Sequence, residues 1–172
     1  EGSWPIDTNL ATWTTSLAVN ALAAAEPELL SRSSLDWLLS CQHTKRHPFT
    51  GAAPGGWGWT DLSGAVPDAD DTAGALLALH ALAKSPPCHE ADRERIRTSA
   101  ASGIAWLLSL QNRDGGWPTF CRGWGKLPFD RSGADLTAHT LRALHRWRNE
   151  APPRYHRRIA RAIKRGYRYL RD

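Results

Sequence analysis

The sequence predicts an all-α fold: three antiparallel helical hairpins, which together make half of a closed ring of six. Three observations predict it. A phrase of glycine, a small residue and tryptophan occurs three times, at Trp4, Trp57 and Trp117, and an apolar helical run follows each time. A second helical run follows each of those, and no stretch alternates well enough for a strand. Two of the second runs end alike, "LLSCQ" from Leu38 and "LLSLQ" from Leu107, and 69 residues separate Gln42 from Gln111. A fixed period of this kind belongs to stacked supersecondary units.

Each element has its own local warrant. The phrase "EGSWPIDTNLATWTTSLAVNAL" from Glu1 leads into the first helix, and Ser33 to Gln42 form the second. The third follows "VPDADDTAGALLAL", where Ala75, Leu76, Leu79 and Leu82 recur at three- and four-residue spacing. Asp70 or Asp71 is placed to cap it, near the positive end of the helix dipole. "AKSPPCHE" from Ala83 breaks that helix. Arg93 to Gln111 then supply the fourth, with Gly103, Ala105, Trp106 and Leu110 as its small and large apolar positions. "EAPPRYH" from Glu150 breaks the fifth helix, and Arg157 to Leu170 form the sixth. The glycine–tryptophan loops should all lie at one end. Half a ring leaves open faces, so the expectation is a piece of a longer chain, or a unit that another copy completes.

Composition narrows the class. A chain of 172 residues, 41% of them hydrophobic, is long enough for one domain with a core. No apolar run approaches the roughly 20 residues that span a bilayer. Cys41, Cys88 and Cys121 are far apart and form no C-x-x-C pair, so the pattern suggests neither zinc site nor disulfide framework. It fits thiols in a reducing cytoplasm. The charge of +5 is concentrated late, in a run of eleven Lys and Arg from Arg142 to Arg171. A solvated helix face and a surface meeting anionic lipid both remain open for it. No nucleic-acid motif accompanies it.

Three motifs carry the chemistry. "DADDTA" at Asp68 packs three carboxylates into four residues, "QNRDGGW" starts at Gln111, and "DLTAH" starts at Asp135. They resemble, in order, the D-x-D-D-T-A acid motif, the QW motif and the histidine segment of squalene-hopene and oxidosqualene cyclases, and the resemblance covers essentially the whole chain. It implies an α/α toroid, half of an α6–α6 barrel with QW-type repeats. Residues 1–172 would form part of a terpene-cyclase barrel domain. It implies Asp70 as proton donor, Asp68 and Asp71 as its tuning neighbours, and His139 as its hydrogen-bond partner. Trp13, Trp59 and Phe120 would line the cavity. The loop between Trp117 and Asp135 is shorter than in bacterial hopene cyclases, which bears on cavity shape and product.

The residue types suit that chemistry. Protonating an alkene needs an acid kept protonated away from water, and crowded carboxylates raise one another's apparent pKa. A cationic His139 would act the other way, stabilising the carboxylate left after transfer. The resulting carbocation has no counter-ion, and aromatic faces stabilise it by about 0.5 to 2 kcal/mol each. Cofactors and metal are not required. "DADDTAG" lacks the fifth-position Asp of a magnesium-binding DDxxD motif.

The implied partners are a squalene-like isoprenoid, peripheral membrane contact at the inner face of the cell membrane, and the rest of the barrel, with no nucleic acid. An isolated half-ring is expected to lack cyclase activity. Two other readings stand beside this one. A non-catalytic toroid module would use the aspartates only as caps. A protein prenyltransferase β-like subunit would need a zinc set that these cysteines do not offer. Trp4, Trp37, Trp57, Trp106 and Trp117 read as packing residues. Asp130 and Asp135 are candidates to cap the fifth helix or to join the His139 network.

Overall fold

A computed structural model describes residues 9–86, 88–120 and 130–172. Trp4, Cys121 and Trp124 lie outside the described residues. Six α-helices account for the fold: α1 (Ala11–Ala25), α2 (Arg32–Ser40), α3 (Ala69–Lys84), α4 (Glu90–Leu110), α5 (Ala134–Trp147) and α6 (Pro153–Arg171). A single 3-10 turn, Pro27–Leu29, links α1 to α2. The second-run helices start one to four residues earlier than the apolar spacing indicates, because polar first turns carry no apolar signal. Ser31 caps α2 by accepting from the Ser34 amide, and Pro153 opens α6. The one departure from all-helix among the described residues is a pair of two-residue strands. β1 (Trp117–Pro118) pairs antiparallel with β2 (Ser132–Gly133).

The helices form the two layers of an α/α toroid. α1, α3 and α5 stand side by side with α3 in the middle, and α2, α4 and α6 pack against them. α3 is the most enclosed, with Leu76, Leu79, Ala75 and Ala78 fully buried.

The repeat is visible in the hydrogen bonds. Trp57 donates its amide to Thr72 Oγ1 and its indole N–H to the Leu38 carbonyl, at 2.9 and 2.8 Å. Trp117 does the same with Thr137 and Leu107, at 3.0 and 2.8 Å. Gln42 donates Nε2 to the Gly55 and Ser99 carbonyls, and Gln111 donates to those of Gly115 and Ala162. Each loop thus stitches the end of one outer helix to the side of the next. Gly103 and Gly166 let the two indoles lie against α4 and α6. A Cβ there would meet Trp57 Cζ3 at 2.8 Å and Trp117 Cζ3 at 3.0 Å. Trp106 is buried and Trp37 packs partly buried against the core, as packing residues should. Trp147, with no assigned place in the sequence, is buried and donates to the Leu76 carbonyl. Gln42→Ala should lower stability by about 1–3 kcal/mol, because it leaves two carbonyls without their donor. Urea denaturation with an unchanged m-value would check it.

Candidate functional site

The acid motif sits where a glycine–tryptophan loop enters α3. Its first carboxylate, Asp68, is the N-cap: its side chain accepts from the Asp71 amide at 2.7 Å. This corrects the expectation that Asp70 or Asp71 caps the helix; both lie in its first turn. The extended backbone at Asp68 also bridges to Trp57 and to Phe120. Asp68 and Asp71 are 4% and 5% exposed, whereas the Asp70 side chain is 39% exposed. Of the three acids, only Asp70 reaches the open face.

His139, one turn into α5, meets Asp70 across the gap between α3 and α5, with Nδ1 2.7 Å from Oδ1. The other expected residues gather at the same end. The Trp59 carbonyl accepts from the amides of Thr12 and Trp13 at 3.1 and 3.4 Å, pinning the start of α1 to the loop before α3. Trp13 stands near Asp70 and adds a small part to the lowering of its carboxyl's pKa. Phe120 packs edge-on against Trp59, with ring centroids 6.2 Å apart at 74°. The structure therefore brings together Asp68, Asp70, Asp71, His139, Trp13, Trp59 and Phe120. The fifth helix is capped otherwise than expected. Gly133 occupies the N-cap position with no side-chain cap, Asp135 is exposed in the first turn, and Asp130 Oδ1 is buried with no hydrogen-bond partner among the described residues.

The three carboxyls divide in two. The hydrogen bond to His139 holds Asp70 below its ordinary pKa, against the opposing effect of burial. Burial pushes Asp68 well above the carboxylate range, with the Asp71 charge adding to it. Burial likewise raises Asp71 to about 6. The cluster keeps a proton on the buried pair, while the outward Asp70 is the stronger acid.

A raised acid pKa stabilises the fold fully below the unfolded value and loses that contribution as pH rises through the folded value. Stability contributed by Asp71 should therefore fall between about pH 4 and 6, and that contributed by Asp68 falls as pH rises through its own raised value. Asp68→Asn keeps a good cap and removes one buried acid. It should raise the melting temperature at pH 7 and give no gain at pH 4. Equal melting curves at pH 7 would contradict this.

Sequence reading missed Asp68 as the cap, and missed Leu17 and Leu77, which line the open face between the acid end and the far ends of these helices. Their seven-residue spacing from Leu10 and Asp70 was the available signal. Among the described residues, no group of three or more His, Cys, Asp and Glu is placed to hold a metal, and Cys41 and Cys88 are free. No helix there is long and apolar enough to cross a membrane.

Two helical layers of a toroid, with an acid cluster and aromatic rings at one end of the inner layer, define an α/α-toroid domain with a candidate acid site. The chain belongs to the squalene-hopene cyclase family: the model of the squalene-hopene cyclase C-terminal domain matches residues 10–170. It is 31% identical over 152 residues to sporulenol synthase of Bacillus subtilis, covering 77% of this chain and 22% of that protein. It is 29% identical over 163 residues to squalene–hopene cyclase of Alicyclobacillus acidocaldarius, covering 81% and 24%. The chain thus spans about a quarter or less of the length of these relatives. A family 10 polysaccharide lyase from Cellvibrio cellulosa shares the fold, with a TM-score of 0.60 at 16% identity, over 98% of this chain and 52% of that one.

Proposed function

We propose that this chain is the acid-bearing part of a class II terpene cyclase barrel domain, and that it starts cyclisation of a linear polyene by protonating a terminal alkene. The observation that carries the reading is the 2.7 Å Asp70–His139 bond at the single outward-facing carboxyl of the cluster. Asp70 delivers the proton, and Asp68 and Asp71 hold one in reserve behind it. His139 holds Asp70 in place and takes part of the negative charge left on it. Excluding water from the face removes the competing base, so that the alkene is the acceptor within reach of a protonated Asp70. Trp13, Trp59 and Phe120 then offer ring faces to the cation. No cofactor takes part.

The substrate is an isoprenoid, consistent with the names of the two relatives. The rest of the ring, from the same polypeptide or another copy, encloses it. Leu10 just before α1, Trp13 and Leu17 on α1, and Tyr167 and Leu170 on α6, are exposed apolar surface that such enclosure would cover. The basic side of α6 suits peripheral contact with anionic lipid. The polypeptide carrying this chain, incubated with squalene and no metal, should give a cyclic product by gas chromatography–mass spectrometry, whereas residues 1–172 alone should give none. No product from squalene, its epoxide or geranylgeranyl diphosphate would instead leave a non-catalytic toroid module with capping aspartates.

A further inference from the structure

Among the described residues, three glycines lie inside helices, and one differs from the other two. A Cβ at Gly103 or Gly166 would meet a neighbouring side chain at 2.8 Å, so packing demands glycine there. A Cβ at Gly74 would meet only Ser16 Cβ at 3.5 Å, His139 Cε1 at 3.9 Å and Ser16 Oγ at 4.0 Å, which is ordinary contact. Alanine would fit. Glycine inside a helix destabilises it relative to alanine, because it gives up more backbone freedom on folding. α3 accepts that penalty one turn after the acids, in the most enclosed helix of the fold.

The missing side chain leaves space beside the Asp70–His139 pair. At about 100° per residue, Gly74 stands roughly 40° around α3 from Asp70. α1 supplies one wall of the space and α5 the other. Asn20 on α1 donates Nδ2 to the Ser16 and Gly74 carbonyls at 2.8 and 3.4 Å, which holds the two helices at this spacing. Ser16 is 2% exposed, and its Oγ has no hydrogen-bond partner among the described residues. Buried hydroxyls in folded proteins are paired, with protein or with ordered water. His139 bonds Asp70 through Nδ1. Its Nε2 is attached to the same Cε1 that borders Gly74, and it has no partner among the described residues.

We propose that Gly74 and Ser16 are positioning residues for the acid: together they hold one water that hydrogen-bonds Ser16 Oγ and His139 Nε2. The part this plays in turnover rests on the cyclase reading above. A buried water needs two to four polar partners, and the space offers these two. When His139 is cationic, its Nε2–H donates to the water and the water donates to Ser16. That bond favours the imidazolium, and the imidazolium favours the Asp70 carboxylate left after proton transfer. Few charges face the ring. Asp70 and Asp71 do so from α3, Asp135 and Arg142 stand about one turn to either side on α5, and α1 carries no titratable side chain. A methyl group at Gly74 and the water cannot both occupy the space, so the glycine that weakens α3 is what admits the water.

The polypeptide carrying this chain is compared with its Gly74→Ala, Ser16→Ala and Ser102→Ala variants. The last removes an exposed hydroxyl from α4 and serves as the control. A high-resolution crystal structure of the wild type should show a water within hydrogen-bond distance of Ser16 Oγ and His139 Nε2, and that of Gly74→Ala should lack it. Gly74→Ala should melt no lower than the wild type, since alanine suits a helix better. Its kcat should nevertheless fall about tenfold, with KM little changed. Loss of the Asp70 proton sets the high-pH limb of kcat. That limb should move to higher pH in Gly74→Ala and in Ser16→Ala, and stay in place in Ser102→Ala. A wild-type structure with no water on these two atoms would overturn the proposal. So would a Gly74→Ala variant with the kcat and pH profile of the wild type. Failure of the cyclase reading shows separately, as polyene turnover that survives Asp70→Asn, whatever the crystal structure shows beside Gly74.

Discussion

Asp70→Asn should abolish polyene cyclisation, lowering kcat by about 10² to 10⁴ or more, while leaving the fold intact. Asn is nearly isosteric with Asp and can still hydrogen-bond His139 Nδ1, but it has no proton acidic enough for carbon. Asp70 is half-exposed and outside the packed core, so its replacement removes little burial. The neighbours answer differently. Asp71→Asn and Asp68→Asn leave the outward acid in place and alter its proton supply, so they should lower kcat less and shift its pH dependence. His139→Ala removes the 2.7 Å bond that keeps Asp70 acidic, so the pKa of Asp70 should rise. Steady-state rates across pH, beside thermal melts of each variant, check the whole set. Equal losses from Asp68→Asn and Asp70→Asn would contradict the assignment of a single outward donor.

Trp57→Ala should be the most damaging change to the fold, at about 3–5 kcal/mol. Its indole is fully buried, donates to the Leu38 carbonyl and lies against Gly103, so one side chain ties α2 to α4. Its amide holds Thr72, in the turn of α3 that carries the acids. Total stability of a domain this size is about 5–15 kcal/mol, so the variant should be partly unfolded at ordinary temperatures. Trp13→Ala makes the contrast. Trp13 is 39% exposed on the open face, so its loss should leave the melting temperature nearly unchanged and reduce turnover instead. Chemical denaturation of the two variants side by side separates packing tryptophans from cavity tryptophans.

The helical plan was legible because each hairpin repeats the same chemistry. Leu38–Gln42 and Leu107–Gln111 mark the ends of outer helices, and Trp57 and Trp117 make the same bonds one repeat apart. The grouping of Asp70 with His139 was legible through the family resemblance alone, since nothing local links residues 69 apart in sequence. Capping was not legible. "DADD" offers several acids, and only the extended backbone at Asp68, fixed by its bridges to Trp57 and Phe120, selects one. Nor was the division of proton affinities. Crowding alone would raise every member of the cluster, but the surroundings differ: Asp68 and Asp71 face protein, and Asp70 faces histidine and open space.

If Asp70 starts the reaction, the proton it delivers comes from solvent. The most direct measurement is cyclisation in deuterated water by the polypeptide carrying this chain, with the product analysed by mass spectrometry. Each product molecule should carry one deuterium, at the carbon of the terminal alkene, and Asp70→Asn should yield no labelled product. Unlabelled cyclic product from the wild type, or labelled product formed equally by Asp70→Asn, would contradict it.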